Sequence, residues 1–330
     1  MKNVIIDSCV FFHMLKANKV YMESGIYGLE EYINMSNQSL KALKDTISEL
    51  MTDDFVKNNK KGQTKFSNVI DSYKTYIRSN LANAKRAIVS MQNLLEGKVV
   101  GKDGKVKTIE VTPERKLQWQ EKLDEATSNV NLLSKNIELF DKLAEEYKNR
   151  YQPNVCANLY KNMVNGNVQF SIVGDSYREI LNHTKENATN SDTFKYFNPS
   201  DVYSLLNECV LLTTDSTKTL KDIDMLSEQY RTRETKNESC MDGDINSLKV
   251  YGDSRIMAEA SIAGYDFVTL NEKDFITDKS KKLGNDFIRQ HIQKVNKQNE
   301  SIATNIGVYA PHEINKILDL SKNTSIQAVV

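Results

Sequence analysis

Short apolar runs alternate with helix-length segments over much of this 330-residue chain. The runs begin at Lys2, Val168, Val210, Tyr265 and Ile306. Apolar runs of strand length that are separated by helical patterns predict parallel strands with both faces covered. We therefore expect an α/β fold with three layers, α/β/α, around a central parallel sheet. In such sheets the active groups lie at the carboxyl ends of the strands.

A long helical region interrupts this alternation. Apolar residues recur three and four positions apart over residues 66–95 and again over residues 119–147, which is the seam spacing of a coiled coil. Between these stretches, residues 98–111 alternate around Asp103-Gly104, a dipeptide that favours a tight hairpin turn. The pattern predicts an antiparallel helical coiled-coil arm with a small β-hairpin at its tip.

The arm is predicted to be an insertion in the α/β domain. The first part of the domain covers residues 1–20, the inserted helical region covers residues 21–165, and the second part covers residues 166–330. A helix over residues 113–150 would be roughly 55 Å long at about 1.5 Å per residue, which is enough to project beyond a compact domain. We therefore expect the arm to contact a protein partner or a second copy of the chain.

The charge balance and the cysteines limit the classes of function. The chain has 44 basic and 44 acidic residues, so a nucleic-acid partner must be met by a local basic patch. The four cysteines and four histidines have neither the spacing of a zinc site nor that of a disulfide framework. The first apolar run is too short for a signal peptide, and no later run reaches the length of a membrane span. We expect a soluble, cytoplasmic protein with no membrane partner.

Acidic and amide side chains follow the predicted strands. Asp7 ends the first strand, and Thr269, Asn271 and Asp274 follow a later strand whose carboxyl end would lie at the same edge. Asp253 precedes an apolar helix face. Clustered carboxylates repel one another unless a cation neutralises them, so such a cluster usually holds a hard metal ion. Oxygen ligands favour Mg²⁺ or Mn²⁺ over zinc.

Two short motifs resemble those of the PIN-domain nuclease family. The first is the run from Val4 to Ser8, in which an apolar strand is followed by Asp7 and a small polar residue. The second covers residues 170–181 and is similar to the start of the family helix that delivers a glutamate, here Glu179.

A third motif carries most of the resemblance. It has Asp253 opening an Ala-rich helix, then a glycine and an apolar strand, and then Thr269, Asn271, Asp274 and Phe275 in that order. Some family members have an aspartate where this chain has Asn271. The resemblance covers residues 1 to about 20 and about 166 to 320, and the insertion is larger than most family members have.

The resemblance implies a metal-dependent nuclease and a role for each matched residue. The implied catalytic residues are Asp7, Glu179, Asp253 and Asp274. The implied ligands of one or two Mg²⁺ or Mn²⁺ ions are Asp7, Glu179, Asp253, Asn271 and Asp274, of which Asn271 and Asp274 are alternatives for the fourth position. Ser8 and Thr269 would orient carboxylates or the substrate phosphate.

The implied reaction is hydrolysis of a phosphodiester bond without a covalent enzyme intermediate. By analogy with the family, RNA is favoured over DNA as substrate, and the protein would be an endoribonuclease acting as a toxin of a toxin–antitoxin pair or another defence effector. One alternative is a structure-specific DNA nuclease, because related enzymes place a helical arch over an acidic site. Another is a non-catalytic PIN-like scaffold that binds a partner through its coiled coil.

A basic stretch on the arm is the candidate surface for a nucleic-acid backbone. Its candidate residues are Lys74, Arg78, Lys85, Arg86, Lys98, Lys102, Lys105 and Lys107. The competing interpretation is that these side chains form the solvated face of a helix and are partly offset by acids on the partner helix.

Overall fold

The computed structural model describes residues 1–53, 55–56, 66–100, 106–184, 197–213, 217–230, 245–271, 275 and 287–327. Its strands are β1 (Lys2–Ile6), β2 (Lys98–Val100), β3 (Val106–Thr108), β4 (Val168–Val173), β5 (Val210–Leu212), β6 (Asp266–Val268) and β7 (Val308–Tyr309). Its principal helices are α1 (Ser8–Glu49), α2 (Phe66–Leu95), α3 (Pro113–Val164), α4 (Gly174–Asn182), α5 (Pro199–Asn207), α6 (Thr217–Tyr230), α7 (Ile245–Ala263), α8 (Phe287–Gln298) and α9 (Pro311–Gln327).

The chain divides into two compact units. The first combines Met1–Ser36 with Gln152–Val330, and the second is Asn37–Tyr151. Both divisions fall inside long helices, α1 and α3, whereas the sequence pattern put them after residues 20 and 165. Residue 20 lies within α1, which is interrupted only later, at Gly25, where φ is 66° and ψ is −163°. Glycine adopts this positive φ without the steric cost that a side chain would add.

A five-stranded parallel sheet organises the first unit. The strand order is β5-β4-β1-β6-β7, so β1 is central, with β4 on one side and β6 on the other. The α/β class and the parallel sheet predicted from the apolar runs are therefore confirmed. Because all five strands are parallel, the carboxyl ends of β1, β4 and β6 meet at one edge of the sheet.

The centre of the sheet is buried on both faces. Val4, Ile5 and Ile6 of β1 are all fully buried, although successive side chains point to opposite faces. On one face, Ile5 and Phe267 pack into a core that also contains residues of α6, α7 and α8. This burial explains why β1 is a continuous apolar run rather than an alternating one.

The second unit has a helical core of its own. Ile70, Tyr73 and Ile77 of α2 are buried, and the rings of Tyr73 and Phe140 lie 4.8 Å apart between centroids. The same core includes Leu40 from the second half of α1, so α1, α2 and α3 all contribute to it. At the end of α2, β2 and β3 form the antiparallel pair predicted around Asp103-Gly104, although residues 101–105 themselves lie outside the described part.

The two longest helices, α1 and α3, contain 42 and 52 residues. Length alone does not make a helix a membrane span, because about 20 consecutive residues must also be predominantly apolar. In the part of the chain that the structure describes, no helix combines the length and the apolar character needed to cross a bilayer.

Candidate active site at the carboxyl edge of the sheet

Asp7 lies at the carboxyl end of the central strand, between β1 and α1. Its backbone N–H donates to the carbonyl of Val268 at 3.0 Å, which ties it to the end of β6. Its own carbonyl accepts the N–H groups of Val10 and Phe11 in the first turn of α1. The Asp7 residue is only 5% exposed. A carboxylate that is buried to this degree requires hydrogen-bond donors or a cation around it.

Two side chains donate to the same oxygen of Asp7. Thr269 Oγ1 donates to Asp7 Oδ2 at 2.8 Å, and Cys9 Sγ donates to that oxygen at 2.9 Å. Ser8 Oγ donates to the other oxygen, Oδ1, over a longer distance of 3.4 Å. Ser8 and Thr269, the two residues assigned an orienting role from the sequence, therefore both contact Asp7. Cys9 was not singled out from the sequence, although a polar residue two positions after the strand-end acid was visible there.

Asn271 connects this group to Asp253. The backbone N–H of Asn271 donates to Thr269 Oγ1 at 2.9 Å, and the side-chain amide Nδ2 donates to Asp253 Oδ2 at 3.2 Å. Asp7, Thr269, Asn271 and Asp253 therefore form one hydrogen-bonded chain, drawn from the end of β1, the loop after β6, and α7.

Asp253 lies inside α7 and not at its start. The helix begins at Ile245, so the expectation that Asp253 opens an Ala-rich helix is wrong. Residues 245–252 contain no proline, and their single glycine, Gly252, weakens a helix by only about 1 kcal/mol, so nothing in this stretch prevents the helix from starting earlier. The longer helix nevertheless delivers Asp253 to Asn271.

Glu179 lies half-buried in the second turn of α4, the helix that follows β4 directly. Because β4 pairs with β1, α4 starts beside the start of α1. Phe12, one turn into α1, packs edge to face against His183, the residue that follows α4, with ring centroids 5.3 Å apart. Phe12 is four residues after Ser8, and His183 is four residues after Glu179. α4 therefore starts at the same edge of the sheet as Asp7, and Glu179 is in its second turn.

The described side chains do not assemble a metal site with three ligands of these types. Among the described residues, no three side chains of His, Cys, Asp and Glu approach closely enough to hold one ion, and this includes Asp7, Glu179 and Asp253. Asp274, the remaining acid predicted from the sequence, lies outside the described residues. The oxygen donors that are linked are the carboxylates of Asp7 and Asp253, through the hydroxyl of Thr269 and the amide of Asn271.

A buried acid that the sequence interpretation missed lies beside the start of α4. Glu259 is 3% exposed, and its Oε2 accepts the backbone N–H of Asp175 at 3.3 Å. Burial, and after it the negative charge of Asp175, raises the pKa of Glu259 to about 7. The available signal in the sequence was an acid between two alanines, Ala258 and Ala260, in an otherwise apolar stretch of helix.

Charged contacts hold α4 against two other helices. Arg255 of α7 donates from Nε to Asp175 Oδ2 at 2.8 Å, and it also contacts Asp224 of α6. Arg178 Nη2 lies 2.5 Å from the other oxygen of Asp175. Arg255 is only 16% exposed at its side chain, so its ion pair with Asp175 is shielded from water more than a typical surface pair. These contacts fix the first turn of α4, and Glu179 lies in the next turn of the same helix.

Two of the candidate basic residues in the second unit are paired with the same acid, Asp141. Lys74 Nζ lies 3.2 Å from Asp141 Oδ1, and Arg78 Nη2 lies 3.0 Å from Asp141 Oδ2. Burial alone would raise the pKa of Asp141, but the hydrogen bonds from Arg78 and Lys74 outweigh it and lower that pKa. For these two residues the contacts are those that the solvated-face interpretation predicts.

The other candidate basic residues are mostly exposed. Lys98 pairs with Glu96 at 2.8 Å, and both side chains are more than half exposed, so this pair contributes little to stability. Lys85, Arg86 and Lys107 of the second unit are also exposed, while Lys102 and Lys105 lie outside the described residues.

The described thiols are expected to react slowly in the folded protein. Burial raises the pKa of Cys9 well above its ordinary value, raises that of Cys156, and raises that of Cys209 to about 12. Because the thiolate is the reactive form, iodoacetamide near neutral pH should label these residues slowly in the native protein and rapidly in urea. Peptide mapping by mass spectrometry measures each site, and fast native labelling of Cys9 would contradict this assignment.

Comparison with protein-family models, with curated proteins and with solved structures finds no match for this chain.

Proposed function

We propose that this chain is a metal-dependent nuclease of the PIN-domain kind that hydrolyses phosphodiester bonds in cytoplasmic RNA. The observation that carries the proposal is the hydrogen-bonded chain from Asp7 through Thr269 and Asn271 to Asp253. These residues come from two of the three motifs that resemble the PIN family, and they are separated by more than 240 positions in the sequence. Their convergence at the carboxyl edge of a parallel sheet is the arrangement that an α/β active site requires.

The electrostatics of Asp7 support a cation at this edge. In the described part of the chain its carboxylate contacts neutral donors, namely the Thr269 hydroxyl, the Cys9 thiol and the Ser8 hydroxyl. A buried carboxylate that lacks a cationic partner is costly, and a divalent ion would offset that cost. Carboxylate and amide oxygens are the donors that Mg²⁺ and Mn²⁺ prefer.

Asp7 and Asp253 are the proposed pair of metal-holding residues. Glu179, Asn271 and Asp274 are the further candidate ligands. Among the described residues, two carboxylates are linked through hydrogen bonds, and no third acid lies close enough to share an ion with them. A bound Mg²⁺ or Mn²⁺ would lower the pKa of an attacking water and offset negative charge on the scissile phosphate.

The other side chains would hold this pair in position. Thr269 restrains one oxygen of Asp7 and is itself restrained by the backbone N–H of Asn271, while the amide of Asn271 restrains Asp253. Such restraint matters because a catalytic group that is misplaced by about 1 Å can lose roughly 100-fold in rate. The ion pairs of Asp175 with Arg255 would similarly hold the helix that carries Glu179.

The second unit supplies the proposed interaction surface. We include in the proposal that α2 and α3 form an antiparallel coiled-coil arm with a hairpin tip, and that the arm meets a protein partner or a second copy of the chain. Exposed Lys85, Arg86 and Lys107 are the described residues that would contact a nucleic-acid backbone. The family resemblance favours a role as a toxin or defence effector.

The direct test is cleavage of defined single-stranded and structured RNA and DNA with Mg²⁺, with Mn²⁺, or with a chelator. We expect the wild-type protein to cleave RNA only when metal is present, and Asp253→Asn to reduce cleavage by about 100-fold or more, since it removes one charge from the metal-holding pair. Asp201→Asn is the matched control, because Asp201 is a partly exposed acid of the same unit that contacts Lys19 at 3.9 Å.

Each outcome has a distinct meaning. Cleavage of DNA in place of RNA would contradict RNA as the substrate but would still support metal-dependent hydrolysis. Undiminished cleavage in the presence of chelator would contradict the proposed dependence on a metal ion. A wild-type protein that neither cleaves nucleic acid nor binds Mn²⁺ in calorimetry would overturn the proposed enzyme altogether.

A further inference from the structure

We propose that Cys9 is a positioning residue for Asp7, acting through a thiol hydrogen bond that, together with Thr269, fixes one carboxylate oxygen and leaves the other directed to the reaction centre. This inference rests on the proposed nuclease function for its catalytic consequence. The hydrogen bond itself is a property of the folded protein and is testable without any activity.

Two parallel relays run from the loop after β6 to the same oxygen of Asp7. In one, the backbone N–H of Asn271 donates to Thr269 Oγ1 at 2.9 Å, and Thr269 Oγ1 donates to Asp7 Oδ2 at 2.8 Å. In the other, the backbone N–H of Leu270 donates to Cys9 Sγ at 3.4 Å, and Cys9 Sγ donates to Asp7 Oδ2 at 2.9 Å. Consecutive backbone amides of one loop thus each polarise a side chain that donates to Asp7.

The two donors also lie next to each other. Cys9 Sγ and Thr269 Oγ1 are 3.8 Å apart, and they belong to different parts of the fold, the first turn of α1 and the loop after β6. Two donors on one oxygen restrict rotation of the carboxylate group, which a single donor would restrict less. Cys9 therefore adds a restraint from α1 that Thr269, on the β6 loop, does not provide.

The two carboxylate oxygens of Asp7 differ in the hydrogen bonds that they accept. Oδ2 accepts two hydrogen bonds of ordinary length, whereas Oδ1 has the longer 3.4 Å contact from Ser8. Each carboxylate oxygen carries two lone pairs, so Oδ2 is saturated by these donors while Oδ1 retains accepting capacity. Residues that orient a metal-binding carboxylate in this way typically contribute about 10-fold to 100-fold in metal affinity or activity.

The substitutions that test this role are Cys9→Ala, which removes the donor, and Cys9→Ser, which keeps one. We expect Cys9→Ala to lower kcat, or Mn²⁺ affinity measured by calorimetry, by about 10-fold or more, with KM for RNA unchanged. Cys9→Ser should restore most of the loss, which a purely packing role would not produce. Cys209→Ala is the matched control, because Cys209 is another half-buried free thiol of the same unit.

The S–H stretching band in the Raman spectrum is the readout that does not depend on activity. Cys9→Ala assigns the band by removing it, and Asp7→Asn should shift the Cys9 band towards that of a weaker hydrogen bond, because an amide oxygen is a poorer acceptor than a carboxylate. A Cys9 band that is insensitive to Asp7→Asn would overturn the thiol hydrogen bond.

Equal kcat and Mn²⁺ affinity in wild type and Cys9→Ala would overturn the positioning role while leaving the nuclease proposal standing. A wild-type protein without cleavage or Mn²⁺ binding would overturn the nuclease proposal and with it the positioning role, and the Raman result would still decide the hydrogen bond.

Discussion

Asp7→Asn is expected to abolish metal-dependent cleavage while leaving the protein folded. The substitution is nearly isosteric and keeps an oxygen that can accept the Thr269 and Cys9 hydrogen bonds, so the packing around β1 should survive. It removes the negative charge that would bind the cation, at a position that is 5% exposed and therefore little screened by water. We expect a loss of about 1,000-fold in kcat, near the upper end of what removal of one charge-stabilising group costs.

The measurement is single-turnover cleavage of a labelled RNA, with urea unfolding to verify that the variant is folded. Asp266→Asn is the matched control, since Asp266 lies at the amino end of β6, on the opposite edge of the sheet, where it bonds to Lys2 and the N–H of Gly307. Asp266→Asn should lose stability but retain cleavage per folded molecule. Retained activity in Asp7→Asn would remove Asp7 from the reaction.

Glu259→Gln is expected to stabilise the protein above about pH 7 and to have little effect near pH 5. The folded-state pKa of Glu259 is raised from its ordinary value of 4.5 to about 7, so the folded protein holds this proton more tightly than the unfolded chain. The stability that the protonated acid contributes is complete below pH 4.5 and is lost as pH rises through about 7. This difference in pKa between the folded and unfolded states corresponds to about 3 kcal/mol in the free energy of unfolding, because one pKa unit is about 1.4 kcal/mol.

Glutamine removes this pH dependence because it does not ionise, and its side-chain oxygen can still accept the N–H of Asp175. The measurement is the free energy of urea unfolding at a series of pH values, for which the difference between variant and wild type should grow from pH 5 to pH 8. A difference that stays constant across this range would contradict the assignment of Glu259 as a buried acid that ionises near neutrality.

Glu313→Gln provides a control of opposite sign. Burial by itself would raise the pKa of Glu313, but the N–H of Ala310 and the charge of Arg289 outweigh that effect and lower it. A depressed pKa contributes stability above the unfolded-state value, which is lost as pH falls. Glu313→Gln should therefore destabilise the protein at neutral pH, where Glu259→Gln stabilises it.

The parts of the fold that could be predicted are those that depend on local pattern. A central parallel strand must be apolar on both faces, and this made β1 visible as an unbroken run ending in an acid. The chain of contacts from Asp7 to Thr269 and Asn271 then follows from geometry, since parallel neighbours end at the same edge. The buried residues of α2 were visible for the same reason, because burial of one helix face imposes a fixed spacing.

The parts that could not be predicted depend on contacts between distant segments. The raised pKa of Glu259 arises from its burial and from the charge of Asp175 in the first turn of α4, 84 positions away in the sequence. The pairing of Lys74 and Arg78 with Asp141 depends on the register between two helices, which apolar spacing alone leaves undetermined. The start of α7 was misplaced because an acid before an apolar helical stretch also has the signature of a helix cap.

The order of the strands has a consequence for when this protein can become active during synthesis. The carboxylate of Asp7 leaves the ribosome well before the hydroxyl that restrains it, which belongs to a residue 262 positions later. The central strand, β1, likewise pairs with β4 and β6, which follow the helical region in the sequence. A nascent chain therefore carries no assembled reaction centre until the segment that contains β6 and Thr269 has been translated, and refolding must close the same long loops, which slows folding. For a chain proposed to cut RNA, the topology itself delays the appearance of activity until the ribosome has passed Thr269.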